Sequence, residues 1–484
     1  MSKQVRVCLL AYEVGPYSAQ GELAEVVAGL SRALIDRGVD LRVLSPCHAT
    51  VAETTRLRKV DDLAPLEIGG TDYRGSIWID ADSPNHYFLD EKVLYSRRGI
   101  YQQPDSTAHY EDEFERLVFF VRGSLAALKQ IGWQPHIVHC HDWPAALAPS
   151  YLKLRLMGDP FYNSIASVLT VHNVFFQGRF RADKFELTGL PPELFSPMSP
   201  FEYFGDLNIL KAGVCYADAI TTVSPQYARE VQTDEIGGGL HEVFQMRGPD
   251  LVGILNGIDV NVWNPRTDPL LVAPFGTEEW GQIEVNKRAL QRMAGLEEGD
   301  RPLIGVVMQE PDAQGADLFL KSWPELRDRA QWLILGKSGQ AETTLQALVR
   351  EREGQVAFCS WGSASHLHQF HAGCDMLLMP SRVEPCGLHQ FYAMRYGSVP
   401  LVRSCGGLRD SVAPYGDAEK ATGFRFFGYE PADLIRTLDQ ALEIRGNSPD
   451  AWRSLIQNGM EADFSWPRAA SQYLDLYRGL THQS

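Results

Sequence analysis

The sequence predicts an α/β protein made of two doubly wound domains that face each other across a cleft. Three observations predict it. Short apolar runs alternate with helical patterns along almost the whole chain of 484 residues. The runs are nearly continuous in apolar residues, as expected of parallel strands covered on both faces. The pattern then restarts near residue 303, and the length is sufficient for two or three domains with cores.

In the first half the strands are expected at Val5–Val14, Val39–Ser45, Ile137–His141, Ser167–Asn173 and Ala219–Val223. Between the first two, Leu23, Val26, Val27, Leu30 and Leu34 recur at helical spacing over Glu22–Asp36. The stretch Gly69–Gln103 reads as hairpins and loops inserted on this first sheet. Ile258–Arg301, rich in Pro, Asp, Asn and Trp, reads as the connection. Strands then recur at Leu303–Met308, Gln331–Leu335, Val356–Ser360, Cys374–Met379 and Val399–Arg403, each before a turn and a helix. Ligands of open α/β sheets bind beyond the carboxyl ends of the strands, so functional residues are sought just after each run.

Composition narrows the function. With 44% hydrophobic and 22% charged residues the chain is ordinary for a globular protein. A net charge of −16 argues against a nucleic acid or an anionic membrane as partner, since both require a basic face. Eight cysteines form no CxxC pair or zinc-like cluster, so reduced thiols and a cytoplasmic location are expected. The first apolar run reads as a buried strand rather than a signal peptide. No apolar run approaches the ~20 residues of a membrane helix.

The strand ends carry the chemistry. After the first strand comes EVGPYSAQGELAEVV, where Gly15 and Gly21 precede a helix whose free amides suit a diphosphate, or simply make a tight turn. HCHDW (His139–Trp143) and TVHNVFFQG (Thr170–Gly178) put histidines and Asp142 where they could bind a polyhydroxylated substrate. In MPSRVEPCGLHQF and VRSCGGLRDSV, Glu384 lies between two glycine-rich helix starts. There a carboxylate can hold sugar or ribose hydroxyls while amides hold phosphate. VVMQEPDAQGADL (Val306–Leu318) has the shape of a phosphate loop but no Lys or Arg, and it contains Glu310, Asp312 and Asp317. The DAD at Asp80–Asp82 is read as a turn rather than a metal motif. LGKSG (Leu335–Gly339) is not a P-loop, because Gln331 stands five residues before Gly336.

The strings EVGPY, HCHDW, TVHNVFFQGRF, LKAGVCYADAITTVSPQYAREVQT, GILNGIDVNVWNP, SRVEPCGL, FYAMRYGSVPLVR and DFSW resemble the bacterial glycogen synthases and plant starch synthases over nearly the whole chain. The resemblance implies the GT-B fold of two Rossmann-like domains, here 1–257 and 258–464, with 465–484 a helix returning to the first. It also implies retaining transfer of glucose from ADP-glucose to the non-reducing end of an α-1,4-glucan, with no metal and no cofactor beyond the donor. Carried over by motif, Asp142, His172 and Glu384 are the catalytic candidates. Gly21, Asn173, Gln177, Asn256, Cys386, Gly387, Leu388, Cys405, Gly406 and Gly407 would bind donor or substrate.

The same resemblance marks departures. Where the family reads KTGGL this chain has AQGEL, with Ala19 at the Lys and Glu22 at the second Gly. Where the family reads SRLTxQKG it has MQEPDAQG, with Gln309 at the Arg and Gln314 at the Lys. Three cations that would face the donor phosphates are absent, and Lys337, Arg403 and Arg409 are the possible replacements. Three readings follow: a working synthase of altered strength, a glucan-binding or regulatory paralogue, or a GT-B transferase for another donor. The expected partner is an α-1,4-glucan or maltooligosaccharide, with ADP-glucose bound weakly.

Overall fold

The computed structural model describes residues 4–103, 106, 108–336, 340–360, 364–416 and 420–481. The chain divides into two compact units. One comprises Met1–Val223, Ala228–Gly257 and Trp466–Ser484; the other comprises Ser224–Tyr227 and Ile258–Ser465.

Among the described residues the first unit holds a nine-stranded sheet. Its order is Leu251–Gly253, Ala219–Thr222, Ala166–Val171, Ile137–His141, Arg6–Leu10, Asp40–Pro46, His86–Asp90, Ser76–Asp80, Leu57–Asp62. The first seven run parallel, and the last two join antiparallel. Gly69–Gln103 is therefore more than an insertion on the sheet. His86–Asp90 pairs with Asp40–Pro46 and extends the sheet itself. The first strand is shorter than its apolar run suggests, ending at Leu10, because its pairing with Asp40–Pro46 stops there and the chain turns toward Gly15–Pro16.

Two helices close one face of this sheet. Glu22–Asp36 buries Ala24, Val26, Val27, Leu30, Ser31, Ala33 and Leu34, the stripe that the spacing predicted. The last helix, Trp466–Thr481, packs on it through Trp466, Ala469, Ala470, Tyr473 and Tyr477. The contact depends on Gly29: a Cβ there would stand 2.0 Å from Trp466 Nε1.

The second unit holds a six-stranded parallel sheet among its described residues, ordered Val356–Ser360, Gln331–Gly336, Leu303–Met308, Met376–Met379, Val399–Arg403, Phe424–Phe426. The stretch 258–301 is not a bare connection. Trp263 is sandwiched between His368 (4.0 Å) and Tyr392 (3.7 Å), and Trp280–Ala294 forms a helix of this unit. Asp375 pins the sheet's rear edge: its carboxylate accepts from Leu303 N (2.7 Å), Lys287 (2.8 Å) and Arg445 (2.9 Å). Among the described residues no helix is long and apolar enough to cross a membrane.

Gly29→Ala measures the dependence of the first unit on its last helix. In an exposed helix this change gains about 1 kcal/mol. Here the buried indole cannot move aside, and overpacking should turn the gain into a loss of about 2 kcal/mol in denaturant titration. Limited proteolysis should cut faster near residue 465; an unchanged pattern would show that the helix docks without this contact.

Candidate functional site

In the first unit the cluster forms where two adjacent parallel strands end. Ile137–His141 runs into a short helix through Asp142, whose φ of +58° is left-handed, a region uncommon for a residue with a side chain. One Asp142 oxygen accepts the backbone N–H of His172 at 2.7 Å. Burial pushes the Asp142 carboxyl up to about 7, although the His172 and Asn173 amides pull it down. His172 Nε2 meets His141 Nδ1 at 3.0 Å, and the His141 ring lies 4.3 Å from that of His139. His139 is held by Tyr477 Oη (2.7 Å) and Thr170 Oγ1 (2.6 Å). Burial lowers His139 and His172 to about 3, and His141 well below its usual value. All three rings are neutral near pH 7, so one ring nitrogen of the His141–His172 pair donates and the other accepts.

The loop that follows is braced from within. Asn173 Oδ1 accepts from Phe175 N at 3.0 Å. Gln177 is buried; its amide donates to Val174 O (3.0 Å) and Gly238 O (2.8 Å), and its Oε1 accepts from Asn208 (2.7 Å). The side chain expected to bind substrate thus holds its own loop in shape. Asn256 is buried, and its Oδ1 has no hydrogen-bond partner among the described residues.

In the AQGEL loop Ala19, Gly21 and Glu22 are exposed. Glu22 opens the helix with Glu25 in its first turn, where acids complement the helix dipole. A neighbour that the sequence reading did not single out is Glu13, the acid of EVGPY. Its buried carboxylate accepts the amides of Gln20 and of Gly21 (3.2 Å), and the Tyr101 hydroxyl at 2.8 Å. A carboxylate closing an apolar strand was the signal. The DAD carboxylates serve structure: Asp80 accepts from Tyr17 Oη at 2.6 Å, and Asp82 pairs with Arg56.

In the second unit two turns touch backbone to backbone. Gly407 N donates to Glu384 O at 3.1 Å. A Cβ on Gly406 (φ +38°) would lie 1.9 Å from Glu384 O, and one on Gly407 would lie 2.0 Å from Cys386 O. Only glycine permits this approach. Cys386, Leu388 and Cys405 bury their side chains. The Glu384 carboxylate accepts from Ser381 Oγ at 3.1 Å.

The acidic loop lies beside these turns. Gln314 Oε1 accepts the amides of Gln309 (2.6 Å) and Glu310 (3.0 Å). Gly315 (φ +80°) lets the loop pass Pro380 O, which a Cβ would approach to 2.1 Å. Arg382 N donates to Ala313 O at 2.7 Å. The three acids divide: Asp317 is paired with Arg382 (3.1 Å) and Lys321 (3.3 Å), and the Tyr429 hydroxyl donates to it. Glu310 and Asp312 point into solvent.

Comparison with known proteins places this geometry. The starch synthase catalytic domain family matches residues 6–246, and glycosyl transferases group 1 matches 287–459. The chain is 38% identical to a glycogen synthase of Syntrophotalea carbinolica over 98% of both chains. It is also 38% identical to one of Anaeromyxobacter dehalogenans, over 98% of this chain and all of that one. The chain belongs to the glycogen and starch synthase family. The catalytic domain of starch synthase IV from Arabidopsis thaliana, solved with ADP and acarbose, superposes at a TM-score of 0.88. It is 30% identical and covers 99% of this chain and all of its own. Sucrose-phosphate synthase from Thermosynechococcus elongatus, 19% identical over 99% of this chain and all of its own, shares the GT-B fold at a TM-score of 0.60.

The positions of Ala19, Gln309 and Gln314 carry no charge. Arg403 donates to the carbonyls of Ser381 (3.3 Å) and Arg382 (2.8 Å) and stacks on Tyr429, so it already braces a turn. Arg409 is exposed on its short helix. Lys337, like most of LGKSG, lies outside the described residues.

Asp142 gives this cluster a pH signature. An unfolded Asp titrates near 3.9, and the folded carboxyl near 7. Stability from this group is therefore complete below about pH 4 and is lost as pH rises through about 7. Asp142→Asn keeps an acceptor for the His172 amide but has no such loss. Its melting temperature relative to the parent should become more positive between about pH 5 and about pH 8. A constant difference would mean that the carboxyl is not perturbed.

Proposed function

We propose that this chain is an α-1,4-glucan-binding member of the synthase family in which glucose transfer from ADP-glucose is weak or lost. In this reading Asp142, His172, Asn173 and Asn256 bind glucose units, and Gln177 shapes their loop. Glu384 and the backbone of Cys386–Leu388 and Cys405–Gly407 form the donor-side counterpart. The protein works in the cytoplasm with a glucan as partner and uses no metal.

The observation that carries the reading is the Gln314 side chain. Its carbonyl oxygen takes the two amides that open the loop after Leu303–Met308, and its nitrogen brings no charge. A departing ADP gathers negative charge on its diphosphate, which without a metal only protein cations and amides can stabilise. Charge-assisted hydrogen bonds contribute about twice as much as neutral ones. Losing one such donor typically costs on the order of 10²–10³ in rate. Three are absent here. The retained Asp142, His172 and Glu384 favour a second reading, a slow but working synthase.

Calorimetric titration with a maltooligosaccharide and, separately, with ADP-glucose distinguishes the two, beside incorporation of radiolabelled glucose into glycogen. The proposal expects oligosaccharide binding, little heat with ADP-glucose, and incorporation lower than that of a synthase relative by at least about 10³. Turnover comparable to the relative's would establish the working synthase. Ala19→Lys, Gln309→Arg and Gln314→Lys together should strengthen ADP-glucose binding by about tenfold or more. No gain in affinity or rate would show that the deficit is not electrostatic.

A further inference from the structure

Two exposed side chains of the first unit stand on backbone that their residue types disfavour. Met198 has a φ of +65° and is 91% exposed; Phe204 has a φ of +51° and is 87% exposed. Met198 is the third residue of a turn in which Ser199 N donates to Ser196 O at 2.9 Å after Pro197. With φ positive, that position favours Gly or Asn. Phe204 and Gly205, both left-handed, join the antiparallel strands Glu202–Tyr203 and Asp206–Asn208, a hairpin turn that favours Asn-Gly. Folding alone would select Asn at both positions, because neither side chain buries its apolar surface.

The surroundings hold both turns firmly, as a strained functional element requires. One Glu202 oxygen accepts from Met198 N (2.8 Å) and the other from Gly205 N (2.7 Å). Lys211 Nζ ties Ser199 O (2.9 Å) to Glu202 O (2.6 Å). The Tyr203 ring meets Phe204 edge-on at 4.8 Å and carries the Arg179 guanidinium at 4.8 Å. The hairpin is also continuous with the loop after His172. Its strand Asp206–Asn208 pairs with Arg179–Phe180, and Asn208 donates to Gln177.

We infer that Phe204 and Met198 form an accessory platform for an α-1,4-glucan chain, with Phe204 stacked on one sugar ring and Met198 covering its neighbour. Two exposed apolar side chains alone supply far less than the ~800 Å² per partner of a stable protein interface. The chain's net charge of −16 disfavours an anionic membrane. A glucan strand presents apolar ring faces edged by hydroxyls. That pattern complements an aromatic ring set among Arg179, Glu202 and Asp206, which can hydrogen-bond the edges. The inference rests on the glucan-binding reading and adds a second point of attachment, so its effect is on polymer rather than on short sugars.

Phe204→Asn tests it, because Asn suits the turn and should raise the melting temperature. Retention of the full chain on glycogen in affinity electrophoresis should fall on the order of fivefold, the contribution of one stacked ring. Maltotriose affinity by calorimetry should stay as in the parent, and Phe204→Tyr should keep glycogen retention. If Phe204→Asn binds glycogen as tightly as a parent that binds both sugars, the platform is refuted and the glucan reading stands. If the parent binds neither sugar, both fall. A parent dimer that dissociates in Phe204→Asn, with glycogen retention unchanged, would refute the platform by assigning this surface to self-association.

Discussion

Both sheets are parallel at their centres and covered on both faces, and this constraint decides where chemistry can occur. The inner strands are almost wholly buried: Leu303, Val306, Leu377, Val138 and Leu169 have essentially no contact with water. A polar side chain within such a strand must find a partner inside the protein. His139 does so through Tyr477 and Thr170, so the last helix of the chain helps to hold a histidine in the middle of the first sheet. Every other group of interest lies where a strand stops. Asp142 and His172 follow two neighbouring strands, and the acidic loop, the Glu384 turn and the Gly406–Gly407 helix start follow three strands adjacent in the second sheet.

At such ends the usual currency is the backbone N–H group, left unpaired and ready for an anion. In this chain both diphosphate-type loops use theirs internally. Glu13 takes the amides of Gln20 and Gly21, and Gln314 takes those of Gln309 and Glu310. The first acceptor is a carboxylate, so an incoming phosphate meets repulsion as well as competition. The nearby guanidinium groups of Arg382 and Arg403 are committed to Asp317 and to backbone carbonyls. A loop that keeps the shape of an anion site can therefore have little residual attraction for an anion.

Much of this was legible in the sequence. The period-3.6 stripe of Glu22–Asp36 gave the helix and its buried face, and continuous apolar runs located the principal parallel strands. The motif strings gave the family before any coordinates. Three things were only partly legible, for separate physical reasons. Gly69–Gln103 reads as hairpins and loops, and Ser76–Asp80 with His86–Asp90 is such a hairpin, but short strands between turns give no sign that His86–Asp90 pairs with Asp40–Pro46 and joins the sheet. The stretch 258–301 looked like a linker because its first part, rich in Pro, Asp and Asn, carries no periodicity; stacking of Trp263 between His368 and Tyr392 is a tertiary fact. Gln177 matches a binding motif, and its three hydrogen bonds within the unit add a bracing role that the motif alone does not reveal.

Gln314 sets two properties of its loop together, its charge and the pairing of its amides. It carries no cation, and it places a carbonyl oxygen on the loop's own amides. An alkyl ammonium donates only, so a Lys here would leave those amides unpaired and available to a ligand. The Gln satisfies them, and an anion must displace it before making the same bonds. Gln309 differs: its backbone amide is one of those satisfied. The electrostatic and hydrogen-bonding contributions of this loop are therefore coupled through position 314 and cannot be summed residue by residue.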